Sequence, residues 1–204
     1  VVIGASRTDS GVHSYGNVAV FDTNARMPAE KISYALNQRL PDDIVVQNSS
    51  EIPLDWHPRH CNSRKTYEYR ILNREFPMPQ RRLDTWFVYR KLNIPAMCEA
   101  AEQFEGTHDF KSFCSVNTAV EDTTRTIYSC EVEKDGNDII TIRVTGNGFL
   151  YNMVRIIAGT LIRVGGGEMA PDEIPQILGK KDRTAAGPTA PAHGLTMMGI
   201  EYGE

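Results

Sequence analysis

The stretch Ala5-Ser6-Arg7-Thr8-Asp9-Ser10-Gly11-Val12-His13-Ser14 is the densest polar cluster in the chain. It follows the apolar run Val1-Val2-Ile3-Gly4, which is typical of the end of a strand, and it precedes a strand that we predict over residues 15–22. A glycine-containing loop between two strands presents its side chains to a ligand while the sheet fixes their position. Asp9 is therefore a candidate for chemistry, although an Asp-Ser-Gly sequence is also typical of a simple turn.

A second cluster, Asn147-Gly148-Phe149-Leu150-Tyr151-Asn152-Met153-Val154-Arg155, runs from the end of a predicted strand into a predicted helix. The helix carries a wide apolar stripe, so an arginine in its first turn is unusual. Such an arginine either extends to water or is buried against a carboxylate. Gly159 lies one turn beyond Arg155, where it leaves room for that side chain or for another backbone.

The rest of the chain indicates an α+β fold, because helices are mixed with antiparallel strands. Helices are predicted over residues 28–40, 95–105, 152–163 and 172–178, and further strands over 44–46, 66–72, 126–134, 139–145 and 195–202. In the strand 66–72, Tyr67, Tyr69 and Ile71 lie on one face. A proline-containing stretch at 73–83 predicts a linker, so we expect an N-terminal domain over residues 1–92 and a C-terminal domain over 93–204.

Composition and charge restrict the possible classes of protein. No apolar stretch approaches the roughly 20 residues needed to cross a bilayer, and no basic-then-apolar leader opens the chain, so we expect a cytoplasmic protein. The four cysteines, at positions 61, 98, 114 and 130, are too widely spaced for a zinc site or a disulfide framework, and we expect free thiols. We therefore predict no metal and no membrane partner.

The net charge of −4 comes from 22 Lys and Arg against 26 Asp and Glu. It argues against a nucleic-acid-binding protein, because such proteins usually carry a basic excess. Three local basic groups weaken that argument: residues 59–65, residues 81–82 and residues 180–183. Local patches of this kind either hold phosphates while acidic faces elsewhere set the total charge, or are simply solvated faces.

Taken together, the two polar clusters resemble those of tRNA pseudouridine synthases of the TruA type. Residues 5–14 are similar to the signature Gly-Arg-Thr-Asp-Ala-Gly-Val-His-Ala of that family, and other segments match the family in order along the whole chain. These segments are Ala35-Leu36-Asn37, His57-Pro58-Arg59, Lys65-Thr66-Tyr67-Glu68-Tyr69, Gly106-Thr107-His108-Asp109-Phe110, Thr124-Arg125-Thr126-Ile127, Gly148 to Arg155, Lys181-Asp182-Arg183 and Ala192-His193-Gly194-Leu195.

The chain departs from the family pattern in a few places. Ser6 replaces the usual Gly, Ser10 and Ser14 replace Ala, and Asn152 stands where His is common. The N-terminal segment of the family, which resembles a strand with a Tyr-Asp-Gly motif followed by a helix, is not matched. We therefore expect the first domain to lack part of its sheet.

The resemblance implies the pseudouridine synthase fold, with two mixed or antiparallel sheet units, helices packed on one side and a cleft between them. It also implies a cofactor-free enzyme that isomerises uridine at positions 38–40 of the tRNA anticodon arm and acts as a homodimer. Asp9 would be the nucleophile, Arg155 would keep it ionised, and Tyr67 would stack on the uracil. Leu195 would pack on the other face of the base.

Further roles in RNA binding follow from the same resemblance. Arg7 would occupy the gap left by the extruded uridine, because an arginine can stack and bind phosphate at once. The residues expected to hold the RNA backbone are His57, Arg59, Arg64 and Lys65.

Three alternatives remain open at this point. The first is a noncatalytic RNA-binding module of the same fold, and the second is a pseudouridine synthase that acts at other RNA sites. On the residues alone, the third is a hydrolase with an aspartate nucleophile, but no convincing acid partner accompanies Asp9.

Overall fold

A computed structural model describes residues 1–115 and 120–203 of the protein. The chain forms two compact units. Unit 1 consists of residues 1–5 and 18–61, and unit 2 consists of residues 6–17 together with the chain from residue 62 onward. The domain boundary expected between residues 92 and 93 falls inside unit 2, and it stays a prediction.

The described residues contain nine strands and four α-helices. The strands are β1 (Ile3–Gly4), β2 (His13–Ser14), β3 (Ala19–Val20), β4 (Ser63–Asn73), β5 (Trp86–Val88), β6 (Gly106–Asp109), β7 (Thr124–Lys134), β8 (Ile139–Gly146) and β9 (Leu195–Tyr202). The helices are α1 (Ile32–Asn37), α2 (Ile94–Glu102), α3 (Met153–Gly165) and α4 (Ile174–Lys180). This mixture confirms the α+β fold class.

Unit 1 contains a two-stranded antiparallel sheet, β1 with β3, and helix α1. Two predictions fail here. The strand expected over residues 15–22 is reduced to β3, and the strand expected over 44–46 is absent. In that second segment the side-chain amide of Asn37 donates to Val46 O at 2.9 Å and accepts from Val46 N at 2.8 Å. The backbone groups of Val46 are therefore satisfied by a side chain instead of a neighbouring strand.

Unit 2 is built on a seven-stranded mixed sheet. The strand order is β2-β9-β4-β8-β7-β6, with β5 also paired to β4. Most neighbours are antiparallel, but β2 runs parallel to β9 and β5 runs parallel to β4. The strands predicted over residues 126–134 and 139–145 form an antiparallel hairpin, β7 with β8, and the carboxylate of Asp135 accepts from Asn137 N and Ile139 N in its turn. The sheet places the long strand β4 between β8 and β9.

The two faces of β4 have the different chemistry that its sequence predicts. Tyr67, Tyr69 and Ile71 are buried in one hydrophobic core with residues of α2, α3 and α4. On the other face, the carboxylate of Glu68 binds both Arg70 and Arg143. The helices therefore cover the tyrosine face, and the side chains of Arg70 and Arg143 are partly exposed on the opposite one.

Helix α3 is apolar on nearly all sides, since eleven of its thirteen residues are buried. Its bounds agree with the prediction to within two residues at each end.

All four cysteines are free, with Cys114 and Cys130 buried and the other two half-buried, as expected. Across residues 1–115 and 120–203, no helix has the length and apolar character needed to cross a bilayer.

Candidate active site

The polar loop between Ala5 and β2 is shaped by a tight turn around Asp9. Val12 N donates to Asp9 O at 3.0 Å, and Gly11 has a φ of +84°. A turn with a left-handed residue at its third position favours glycine there, which explains the Asp-Ser-Gly sequence. The loop then enters β2, where His13 lies opposite Thr196 of β9. Both the functional and the turn interpretation of Asp9 are therefore consistent with its backbone.

Asp9 and Arg155 lie in direct contact. Nη1 of Arg155 donates to Oδ2 of Asp9 at 2.9 Å, and the two side chains are 16% and 30% exposed. The exposure of Asp9 leaves one side of the carboxylate open to an incoming group. The contact orients the carboxylate, and a carboxylate is a group that can act as a nucleophile.

A second contact fixes Arg155 from the other side. Its Nε donates to the carbonyl oxygen of Ala190 at 2.7 Å, and Ala190 N donates back to Arg155 O at 3.1 Å. The arginine is thus held by the segment that leads into β9. It does not extend freely to water.

The close approach of this segment depends on Gly159, one turn beyond Arg155. A Cβ at Gly159 would stand 1.9 Å from Pro188 O, and a Cβ at Gly187 would stand 2.6 Å from Thr160. Thr160 Oγ1 also accepts from Gly187 N at 2.9 Å. The second interpretation of Gly159, the close approach of another backbone, is therefore the one that the structure supports.

Tyr67 lies near the same loop. Its hydroxyl is 3.1 Å from Ser6 Oγ, and its ring makes an edge-to-face contact with Phe149 at 5.1 Å between centroids. The side chain is 6% exposed. Burial, and to a smaller degree the charge of Asp9, raise the pKa of Tyr67 although the hydrogen bond with Ser6 lowers it. The phenol is therefore neutral at physiological pH.

The other predicted residues of unit 2 lie in different environments. Leu195 opens β9 opposite Tyr69 and is 6% exposed, whereas Arg7 is exposed on the loop. The guanidinium of Arg64 stacks over the ring of Tyr128 at 4.6 Å, and Lys65 is half-buried in β4. Arg7 is thus available to a ligand from the loop, while Leu195 is covered.

His57 and Arg59 belong to unit 1. The ring of His57 stacks on that of His60 at 3.9 Å, and Arg59 Nε donates to Gly4 O at 2.7 Å. Partial burial, followed by the charges of His60 and Arg59, lowers the pKa of His57. His57 is therefore neutral at pH 7 and becomes a cation only in more acidic solution.

Two residues to which the sequence analysis assigned no role, Asn152 and Ser115, complete the surroundings of Arg155. Asn152 Oδ1 accepts from Arg155 Nη1 at 2.7 Å, and Asn152 Nδ2 donates to Ser115 Oγ at 2.8 Å. Across the described part of the chain, no group of three or more His, Cys, Asp or Glu side chains is arranged to hold a metal ion. The site offers a carboxylate, a guanidinium and a phenol.

Comparison with known proteins identifies the family of the chain. The sequence matches the tRNA pseudouridine synthase family over residues 1–60 and 100–203, which include both Asp9 and Arg155. The chain belongs to this family. Membership confirms the resemblance seen in the sequence, the fold class and the prediction of an isomerase.

Several proteins named tRNA pseudouridine synthase A match nearly the whole chain. That of Thermoanaerobacter sp. (strain X514) is 50% identical over 201 residues, which cover 98% of this chain and 82% of that protein. That of Bacillus subtilis (strain 168) is 45% identical over 201 residues, with 98% of this chain and 81% of that protein covered. That of Clostridium acetobutylicum (strain ATCC 824) is 48% identical over 204 residues, with coverages of 98% and 82%. These matches include residues 61–99, among them Tyr67, which the family match leaves out.

Proposed function

We propose that the chain converts uridine to pseudouridine at positions 38–40 of the tRNA anticodon arm, with Asp9 as the nucleophile. Family membership supports the reaction class, and the observation that carries the residue assignment is the 2.9 Å contact between Asp9 and Arg155. The loop that carries Asp9 also carries Ser6, which contacts Tyr67. One loop therefore connects the carboxylate to the aromatic ring proposed to bind the base.

The carboxylate of Asp9 starts the reaction by one of two routes. In the first, it attacks C1′ of the ribose, forms an ester and releases uracil with the electron pair of the N1–C1′ bond. In the second, it adds to the uracil ring, the N1–C1′ bond then breaks with its electron pair on N1, C5 bonds to C1′, and the carboxylate leaves the ring again. Either route ends with a C5–C1′ bond and the loss of the C5 proton. Because Arg155 engages Oδ2, we assign the attack to Oδ1.

Tyr67 contributes the face on which the uracil stacks, and base–aromatic contacts of this type are worth about 1 to 3 kcal/mol. Leu195 supplies the opposite face. Both side chains are 6% exposed, so RNA binding must uncover them before a base can lie between them. We assign the hydroxyl of Tyr67, which lies 3.1 Å from Ser6 Oγ, to assist the loss of the C5 proton. The proton count balances because N1 of the base takes up one proton after its bond to C1′ has broken.

The target uridine must leave its stem before it reaches Asp9, at a cost of a few kcal/mol for unstacking and unpairing. Arg7 lies two residues before Asp9 and is exposed, which suits it to fill the resulting gap. We assign binding of the RNA backbone to four further residues, which are His57, Arg59, Arg64 and Lys65. We also propose that the enzyme acts as a homodimer in the cytoplasm.

The proposal is tested by mapping pseudouridine in an unmodified tRNA transcript that carries uridine at positions 38, 39 and 40. After incubation with the protein, carbodiimide treatment blocks reverse transcription at each pseudouridine. We expect blocks at these positions and none in a transcript with cytidine there. Blocks elsewhere would indicate a synthase for other RNA sites. Binding of tRNA without any block would indicate the noncatalytic alternative.

A further inference from the structure

Asn152 adopts a backbone conformation that few residue types tolerate. Its φ and ψ are 62° and 7°, in the left-handed region, where Asn is among the few favoured residues other than Gly. It stands immediately before α3, where Asn normally accepts a hydrogen bond from the first turn of the helix. Its side chain makes no such capping bond. The amide is therefore committed to other partners.

Those partners connect Asn152 to the Asp9–Arg155 pair. Nη1 of Arg155 has two hydrogens; one is directed to Asp9 Oδ2 at 2.9 Å and the other to Asn152 Oδ1 at 2.7 Å. Because both contacts use the same nitrogen, the Asn152 carbonyl fixes the rotation of the guanidinium that presents a hydrogen to Asp9. Ala190 O fixes Nε in the same way.

Ser115 anchors the far side of the Asn152 amide, while Arg155, which can only donate, selects the amide oxygen. Nδ2 of Asn152 donates to Ser115 Oγ at 2.8 Å, and Oδ1 is directed to Arg155. The opposite orientation would place the amide NH₂ against a guanidinium that can only donate. Ser115 N also donates to Tyr151 O at 3.1 Å, which ties the serine to the residue before Asn152.

We propose that Asn152 is a positioning residue for the reaction, with its amide anchored by Ser115, and that it acts by holding Arg155 toward Asp9. This inference rests on the proposed function of Asp9. A residue that holds another group in its reactive geometry affects the chemical step more than substrate binding.

The decisive variant is Asn152→Gly, because glycine tolerates the left-handed backbone while it removes the amide. We expect kcat for pseudouridine formation to fall by about tenfold to a hundredfold, as small displacements of catalytic groups do, with KM for tRNA changed less than about twofold. Ser115→Ala should lower kcat by a smaller factor. Ser115→Thr keeps the hydroxyl and should therefore have a kcat close to that of the wild type. Asn137→Gly, in the exposed β7–β8 turn, is the matched control and should leave kcat unchanged.

A double-mutant cycle tests whether Asn152 acts through Arg155. Arg155→Lys should reduce kcat by a smaller factor in the Asn152→Gly background than in the wild type, because the positioned guanidinium is already disturbed. Fully additive losses would overturn the proposal. So would a wild-type kcat in Asn152→Gly.

A measurement without substrate separates this inference from the proposed function. In side-chain NMR spectra of the free protein, the Arg155 guanidinium signals are assigned by their absence in Arg155→Lys. We expect loss of the exchange-protected Nη1 signal in Asn152→Gly and its retention in Asn137→Gly. Retention in Asn152→Gly would contradict the positioning role. An inactive wild type with the expected NMR result would instead contradict the proposed function alone.

Discussion

Nη1 of Arg155 lies 2.9 Å from Oδ2 of Asp9, although the two residues are 146 positions apart in the chain. Arg155 is fixed by α3 and by Ala190 O, whereas Asp9 is fixed by its turn and by the pairing of β2 with β9. Because both side chains are partly exposed, water screens the pair and limits its contribution to stability. Its main consequence is the orientation of the Asp9 carboxylate.

Arg155→Lys should therefore impair catalysis more than folding. Lysine keeps the charge but loses the planar geometry that contacts Asp9, Asn152 and Ala190 together. We expect kcat to fall by about a hundredfold and the free energy of unfolding to fall by only about 1 to 2 kcal/mol. Steady-state kinetics and urea denaturation measure the two effects. Arg163→Lys, in the same helix and paired with Glu168, should change neither by a comparable amount.

Gly159→Ala should destabilise the protein, because its Cβ would stand 1.9 Å from the carbonyl oxygen of Pro188. Overpacking of this kind costs about 1 to 3 kcal/mol. Displacement of the segment around Pro188 would also move Ala190 O away from Arg155, so activity should fall as well. Thermal or urea unfolding gives the stability change.

Gly179→Ala is the matched control for Gly159→Ala. Gly179 lies within α4, and a Cβ there would meet nothing within 4 Å. Alanine in a helix interior is favoured over glycine by about 0.5 to 1 kcal/mol, so this variant should be slightly more stable than the wild type. Equal destabilisation by the two substitutions would contradict the close approach at Gly159.

The burial of Tyr67 should make the wild type and Tyr67→Phe differ in the pH dependence of their stability at alkaline pH. Burial raises the pKa of Tyr67 above its ordinary value of 10.0. Its contribution to stability is therefore complete below pH 10 and is lost as the pH rises through the folded-state pKa. The free energy of unfolding should decrease more steeply above pH 10 in the wild type than in Tyr67→Phe. Tyr89→Phe, at an exposed position, should follow the wild-type curve.

The ion pairs of Glu68 should make the stability difference between the wild type and Glu68→Gln depend on pH in acidic solution. Burial alone would raise the pKa of Glu68, but hydrogen bonds from Arg143 and then from Arg70 hold it below its ordinary value of 4.5. The stabilisation is therefore present above pH 4.5 and is lost as the pH falls through the folded-state pKa. Glu68→Gln should cost about 1 to 3 kcal/mol at pH 7, and less at pH 3. An equal cost at both values would argue against the ion pairs, and exposed Glu133→Gln serves as the control.

The parts of the fold that the sequence predicted are those with strong local signals. The apolar stripe of α3 predicts a helix, and the alternation of Tyr67, Tyr69 and Ile71 predicts a strand, each without help from the rest of the chain. The strand predicted over residues 44–46 was wrong because its backbone partner is the side chain of Asn37, which periodicity does not reveal. The resemblance to the family predicted that Asp9 and Arg155 form a pair. The physical reason is that a buried arginine without a carboxylate partner would be destabilising.

The missed residues are the ones that act through a partner. Asn152 and Ser115 lie 37 positions apart, and only the folded chain shows that they form a hydrogen bond. Ser6 was seen only as a departure from a family glycine, and its contact with Tyr67 joins residues 61 positions apart in the chain. Hydrogen bonds between distant side chains leave no pattern in a sequence, whereas core periodicity does.

The most direct test of the central claim is tritium release from tRNA labelled at C5 of uridine, measured with the wild type and with Asp9→Asn under identical conditions. Asparagine keeps the size of the side chain but removes the nucleophilic carboxylate. We predict release by the wild type and none above background by Asp9→Asn, with tRNA binding retained. Release by Asp9→Asn at a rate near that of the wild type would contradict the account.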